Sequence, residues 1–343
     1  MILRWHKYSL NFKYPFTITH GSRTSTPVVY VELEKDGITG YGEAALPPYV
    51  KESQDTVIGF IEKVQPDKLS PADIPASLDY IRSFPGDNNH AVAAIDIALH
   101  DLAGKLSGKS ISDYYNISDL PLPYSAFTLS VDEPDVLRKK IEENPDFGLY
   151  KLKLNGIEDH KRIESYVSYC NKPFSVDVNE AWTNREKALE MIKYLASLKC
   201  IFVEQPFPVS SINDAQWLAE RSPLPLIGDE AIQNLKDLNT QENNFHGVNI
   251  KLMKCGGIYE GFRMAQYARS KDLFVLMGCM SESSCAVTGA AHLSRLAHWA
   301  DLDGPFLIDN DPFEGIKIEN GRIVLPGRAG IGAVPDRKHP EID

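Results

Sequence analysis

Three short apolar runs in this sequence each stop at a carboxylate: Phe174-Ser-Val-Asp177, Ile201-Phe-Val-Glu204 and Leu224-Pro-Leu-Ile-Gly-Asp229. The acids are 27 and 25 residues apart, the scale of one strand-plus-helix unit. Parallel strands joined by helices present all their carboxyl ends on one face, so these three side chains are expected to meet. Carboxylates gathered in a protein interior repel one another unless a cation joins them. A hard divalent ion such as Mg²⁺ suits all-oxygen ligation better than zinc does. One Asp at a strand end is more often a helix cap than a ligand. Three in succession favour the metal.

Lysines occupy similar positions on either side of these runs. Lys151 and Lys153 in Leu149-Tyr-Lys-Leu-Lys-Leu154 are two apart, so they share one face of a strand. Val248-Asn249-Ile250-Lys251 ends another strand with a lysine. Lys-x-Lys alone usually marks a solvated edge strand; its placement before the carboxylates, with Lys251 after them, is what carries information. A proton next to a carboxylate is weakly acidic, and a metal on that carboxylate offsets the second negative charge formed on deprotonation. A lysine takes the proton only when neutral, a form that nearby cations favour. One base on each side of the carbon gives a 1,1-proton transfer and inverts the centre. A single base suits elimination or cycloisomerisation.

Such a site needs strands in register. Strand-like runs occur at Tyr124–Leu129, Leu149–Leu154, Phe174–Val178, Ile201–Val203, Leu224–Gly228, Gly247–Ile250 and Leu273–Met277, with a weaker eighth near Trp299–Leu302. Helical patterns fall between them, as at Arg185–Leu198 and Ile258–Arg269. The best fit is an α/β fold built on a (β/α) barrel, with an open doubly wound sheet as the alternative. The earlier part of the chain reads as α+β. Val28–Glu34 and Ile38–Glu43 flank an Asp36-Gly37 turn, and His90–Ala103 has helical periodicity with Gly104 and Gly108 as stop signals. The expected division is an α+β capping domain over residues 1–120, a barrel over 121–311, and a Gly- and Pro-rich tail over 312–343 that returns to the first domain.

At 343 residues the chain can hold a large core and two domains. A net charge of −11 argues against nucleic-acid binding, which needs a basic footprint. No run of about 18 apolar residues is present, so no spanning helix and no membrane partner are expected. The five cysteines are odd in number and lack C-x-x-C spacing, and Met1–Tyr8 shows no apolar signal core. A cytoplasmic protein with reduced thiols is the expectation.

Taken together, Lys151-Leu-Lys153, Asp177-Val-Asn179, Glu204-Gln-Pro206, Asp229-Glu230 and Asn249-Ile-Lys251 resemble the enolase superfamily, in its muconate-lactonizing subgroup, over nearly the whole chain. That resemblance implies a modified (β/α)7β barrel with an α+β cap. It implies one Mg²⁺ per subunit on Asp177, Glu204 and Asp229, supported by Asn179 and Glu230. It makes Lys153 and Lys251 the two acid/base groups, with Lys151 at the substrate carboxylate. Members often form homo-oligomers.

A narrower resemblance, to the dipeptide epimerases of that subgroup, comes from Ala300-Asp301-Leu-Asp303-Gly-Pro305. In those enzymes such an Asp pair holds the substrate ammonium, and two acids two apart suit a cation. Asp beside Gly and Pro is also ordinary turn chemistry. Thr19-His-Gly-Ser-Arg23-Thr24 would be a mobile lid whose Arg23 meets a glutamyl side chain, and Leu46–Val50 a second lid segment. Thr128, Cys279 and Met280 resemble substrate-pocket positions; Cys279 has no histidine nearby in sequence and is expected to pack, not react. Phe127, Met280 and Tyr49 would add apolar surface. The implied reaction is inversion of the C-terminal residue of an Ala-containing dipeptide through an enediolate, that residue being Glu or small or hydrophobic. Cycloisomerisation, o-succinylbenzoate-type dehydration, N-acyl amino acid racemisation and a non-catalytic peptide-binding barrel are the alternatives.

Overall fold

Alternating apolar and polar residues give two long antiparallel strands, β1 (Ile2–Ile18) and β2 (Gly21–Lys35), followed by β3 (Ile38–Ala45). The computed structural model describes residues 1–19 and 21–336. Asp36 and Gly37 take φ of 53° and 76°, the left-handed pair that a two-residue hairpin turn needs. The β1–β2 pairing continues to Ile18 opposite Gly21. Arg23 therefore lies in β2 opposite Phe16, not in a lid loop as the sequence suggested. Backbone pairing claimed residues that turn-forming types had marked as loop. Within that stretch His20 lies outside the described residues.

The helix Asn89–Ser107 lies against β3 at very close range. A Cβ on Gly42 would sit 1.9 Å from the Ala94 carbonyl oxygen, so bare backbone is required there. Gly108, with φ 67°, ends this helix, but Gly104 does not. Gly104 is inside the helix, where its missing side chain admits Gly330 of the tail.

The second part alternates strands and helices around eight parallel strands. These are β4 (Ala126–Leu129), β5 (Leu149–Lys153), β6 (Phe174–Asp177), β7 (Cys200–Glu204), β8 (Leu226–Gly228), β9 (Gly247–Lys251), β10 (Phe274–Gly278) and β11 (Trp299–Asp301). They pair in chain order, and a bridge between Ser125 and Ala300 brings the last against the first. The open-sheet alternative is thereby excluded. In this ring of eight, β5 faces β9, β6 faces β10, and β7 faces β11. Inside the ring Phe202, Ile227 and Leu276 pack with Phe274 and Trp299. Those of them that sit two residues before Glu204, Asp229, Gly278 and Asp301 point the same way, so an apolar layer underlies a charged one.

The tail touches both parts. Ile331 N–H donates to Asp101 Oδ1 at 2.9 Å, and the Phe313 ring packs on Tyr30 and Tyr41. The short hairpin of Lys317–Glu319 and Arg322–Val324 instead meets the amino end of the barrel, where Ser125 N–H donates to the Gly321 carbonyl. Residues 337–343 of the expected tail lie outside the described residues.

His292 joins three segments. Nδ1 accepts from the Ser112 backbone N–H, so Nε2 carries the proton and donates to the Ile331 carbonyl at 3.0 Å. Burial pushes its pKa down from 6.5 to about 4. Below pH 6.5 the unfolded chain binds a proton that the folded chain refuses, so stability falls as pH drops from about 6.5 to about 4 and then levels. His292→Asn is expected to flatten that window by up to about 3 kcal/mol, read as the difference between urea unfolding curves of the two proteins at pH 7 and pH 4.5.

Candidate active site

All the charged strand ends meet at the carboxyl end of the barrel. Lys153 pairs in register with Asp177, and Asp177 with Glu204. Gly278 stands between Lys251 and Asp301. One oxygen from each of Asp177, Glu204 and Asp229 lies within 4.8 Å of the others, and all three acids are buried. The chain turns sharply just beyond two of them. Asn179, Glu180 and Gln205 take φ of 43°, 66° and 35°, a local cost of the kind tolerated at functional sites.

Four lysines surround the acids. Lys153 Nζ donates to Asp177 Oδ2 at 2.6 Å, and Lys251 Nζ to Asp229 Oδ2 at 2.7 Å. Lys151 Nζ is 3.0 Å from Asp177, 2.9 Å from Glu204 and 2.7 Å from Asp301. Lys254 donates to Asp229 Oδ1 at 2.6 Å and to the carbonyls of Asp229, Asn249 and Ile232. Burial raises the pKa of Asp177, but the charges of Lys151 and Lys153 outweigh it and hold the carboxyl below its usual range. Lys251 and Lys254 do the same for Asp229. Glu204 is pushed up to about 7 by burial and then by Asp177. Its Oε2 takes no hydrogen bond among the described residues, its nearest cation being the Lys151 ammonium at 2.9 Å. A buried carboxylate oxygen held only by an ion pair, beside two more carboxylates, is a fitting donor for a hard divalent cation. The residues present therefore fit a magnesium site.

Polar groups hold these carboxylates in place. Asn249 Nδ2 donates to Glu204 Oε1 at 2.8 Å, and Gln205 Oε1 accepts from the backbone of Asp229 and Ala231. Asn179 Nδ2 donates to Glu230 Oε1 at 3.1 Å, and burial, then Asp229, push Glu230 to about 8. The sequence reading assigned no role to Lys254, Gln205 or Asn249. Asn249 shares the inward face with Lys251, which was a usable signal. Lys254 lies one helical turn beyond the strand, in Leu252–Cys255, and nothing local distinguishes it.

The site opens into a cavity of about 1010 Å³. Its wall includes Thr128, Asn179, Glu230, Cys279, Met280, Asp301 and Asp303 from the barrel, and Phe16, Ile18, Arg23 and Tyr49 from the cap. Phe127 is not in this wall: Thr128 faces inward, so strand alternation turns Phe127 out against Phe147 and Tyr150. Burial pushes the Cys279 thiol well up, as an inert packing residue requires. Arg23 lies over the rings of Phe12, Phe16 and Tyr49 and donates to Ser281 Oγ at 2.9 Å. At the tip of the β1–β2 hairpin, the Thr19 hydroxyl donates to the carbonyls of Leu154 and Val178, closing the cap onto β5 and β6. Behind the wall, Glu43 of β3 accepts from the backbone N–H groups of Ser283 and Ala286 at the start of helix Ser284–Leu293. Burial, then the charge of Glu282, push Glu43 to about 8. Among the described residues no helix is long and apolar enough to cross a membrane.

Comparison with known proteins covers both parts of the chain. Residues 4–114 match the mandelate racemase / muconate lactonizing enzyme N-terminal domain, and residues 137–339 match the family described as enolase C-terminal domain-like. The chain is 40% identical over 336 residues to the L-Ala-D/L-Glu epimerase of Bacteroides thetaiotaomicron, spanning 97% of this chain and 88% of that protein. It is 37% identical over 309 residues to the L-Ala-D/L-amino acid epimerase of Pedosphaera parvula, spanning 89% of each. The solved dipeptide epimerase of Enterococcus faecalis, complexed with Mg and L-Leu-L-Tyr, superposes with a TM-score of 0.88 at 25% identity, covering 96% of this chain and 98% of that one. Barrel, cap, carboxylate triad and sequence agree: the chain belongs to the mandelate racemase / muconate lactonizing enzyme group of the enolase superfamily.

Proposed function

We propose that this protein is a Mg²⁺-dependent dipeptide epimerase that inverts the α carbon of the C-terminal residue. The observation that carries this reading is the placement of Lys153 and Lys251 on β5 and β9, strands that face each other across the ring, with the carboxylate triad between them. Asp177, Glu204 and Asp229 are the residues that would hold the metal. Bound there, Mg²⁺ supplies positive charge that offsets the second negative charge developing on the substrate carboxylate.

In the reaction the Cα–H bond breaks as one lysine, neutral beforehand, takes the proton on its Nζ. The opposite lysine, entering as an ammonium, gives its proton to the other face of the same carbon. The two exchange protonation states with each turnover. Burial disfavours charge on Lys251, but Asp229 outweighs it and raises that pKa well above the ordinary value. Lys151 supports the substrate carboxylate.

Asp301 and Asp303 lie on the β7-opposed side of the ring, across from Glu204. They are the acids for the dipeptide ammonium, which substrates of the other reactions in this group lack. The C-terminal side chain falls to the wall of Arg23, Ser281, Met280 and Tyr49. One guanidinium in an aromatic setting supports an Ala-containing dipeptide that ends in Glu or in a small or hydrophobic residue.

Incubation with Mg²⁺ and a dipeptide panel in D₂O is the test. Accepted dipeptides gain one mass unit and a new epimer. If no dipeptide exchanges its α proton, the proposal fails.

A further inference from the structure

A second, smaller cavity of about 90 Å³ lies behind the wall of the active site. Phe16 and Leu307 line both cavities, so these two side chains form the partition between them. Phe12, Phe127 and Phe306 give the smaller one an aromatic lining. The charged groups around it are already engaged. Lys140 donates to Ser130 Oγ and Asp132 Oδ2, Lys13 to the Phe306 carbonyl, and the Tyr14 hydroxyl to Glu143. An apolar group suits this space, because a polar one would be buried there without a ready partner. Local sequence builds the partition. Asn11 pairs with Ser25 and Phe16 with Arg23, so β1 bulges between them, and Phe12 in that bulge bridges to Ile308. Phe16 stacks on Phe12 at 5.2 Å, with the Arg23 guanidinium 5.1 Å over its ring. Leu307 ends the single helical turn Gly304–Leu307, which starts directly after Asp303.

We infer that this partition sets the size of the substrate's N-terminal residue: Phe16 and Leu307 hold it to alanine, and the aromatic space behind them takes a branched apolar side chain once Leu307 is cut back. The inference rests on the dipeptide reading of the site and names the residues that choose the N-terminal side chain. In a dipeptide the β carbon of the first residue is two bonds from the ammonium nitrogen, about 2.5 Å away. An ammonium in hydrogen-bond contact with Asp303 therefore holds that carbon within about 6 Å of the carboxylate. Leu307 stands one helical turn beyond Asp303 and borders the same cavity. A methyl group fits in front of it, and a longer side chain runs into the partition. Phe16 is pinned between Phe12 and Arg23, so Leu307 is the side of the partition that can be removed without disturbing the wall near Arg23. The space behind, about 90 Å³, is about three times a water's share of liquid volume, the scale of the carbons that leucine adds to alanine.

The test uses two pairs of dipeptides, L-Ala-L-Glu with L-Leu-L-Glu and L-Ala-L-Leu with L-Leu-L-Leu. Within each pair only the N-terminal residue differs. Epimerisation with Mg²⁺ present is read as kcat and KM. In the parent protein the Ala member of a pair is expected to be preferred by about 10²-fold or more in kcat/KM. Leu307→Ala is expected to narrow that preference at least about tenfold, chiefly by lowering KM for the Leu member. The choice between L-Ala-L-Glu and L-Ala-L-Leu stays within about threefold of the parent, because the C-terminal side chain meets a different wall. Of the two cavities Phe306 lines only the smaller, so Phe306→Trp in the Leu307→Ala background fills that space and is expected to remove the gain. A preference unmoved by Leu307→Ala, or a gain that survives Phe306→Trp, overturns the inference and leaves the epimerase reading standing. Should Leu307→Ala fail to fold, Leu307→Val decides: a narrowing of about threefold is expected, and none overturns the inference. A parent protein that epimerises no dipeptide overturns the functional reading, and the inference with it.

Discussion

Lys153→Met and Lys251→Met each lower epimerisation by at least about 10³-fold, because positioned proton transfer contributes about 10² to 10⁴ and each direction needs both groups. Both variants are expected to fold. Asp177 keeps Lys151 at 3.0 Å after the first change, and Asp229 keeps Lys254 at 2.6 Å after the second. Neither change leaves a buried carboxylate without a cation, the usual reason for a large loss of stability. The two variants differ in what survives. Each keeps one base on one face of the α carbon, so in D₂O each exchanges the α proton of one epimer without inverting it, and the two variants choose opposite epimers. Chiral chromatography with mass detection reads both properties at once. Retained inversion in either variant, or exchange of the same epimer by both, would sink the two-base assignment.

Glu204→Gln is expected to abolish the response to Mg²⁺. In the parent protein a chelator removes activity and added Mg²⁺ restores it. Mg²⁺ at a hundredfold above its Kd also stabilises the fold by about 2.7 kcal/mol, seen as a higher unfolding midpoint. Glu204 is the triad acid with the weakest lysine support, and its Oε2 is the oxygen without a hydrogen bond. An amide there keeps a carbonyl for Asn249 but turns N–H groups toward Lys151, so the anionic donor disappears while the packing stays. Turnover should drop at least about 10³-fold, and Mg²⁺ should no longer move the midpoint. A Mg²⁺-dependent midpoint shift that persists in Glu204→Gln would remove Glu204 from the ligand set.

The meeting of charged strand ends was legible because its signals are local. Asp177, Glu204, Lys153, Lys251 and Asp301 each end a strand, and parallel pairing converts equal depth in sequence into proximity in space. The eighth strand, weak by hydrophobicity, forms because β10 and β4 offer partners on both sides of it. What was not legible depends on partners distant in sequence. Lys254 acquires its role only when the ends of β8 and β9 bring carbonyls around it. Gln205 looks like any polar loop residue until a φ of 35° turns it under Asp229. Arg23 sits in Gly-Ser-Arg-Thr, a loop by composition, yet Phe16 across the hairpin makes it strand. Phe127 was misplaced for want of one alternation step. Gly104 reads as a helix stop but serves close packing with Gly330.

The hairpin that closes the cavity belongs to a different sheet from the strands that carry the lysines and acids. Phe16, Ile18 and Arg23 can therefore vary without moving the lysines and acids of the barrel, since Thr19 ties the tip to backbone carbonyls and not to side chains. The cap's share of the cavity wall and the charged strand ends of the barrel are thus carried on separate stretches of sequence. Under the proposed function, diversifying Phe16, Ile18, Arg23 and Tyr49 is expected to change which dipeptides are accepted while the two-base chemistry stays in place.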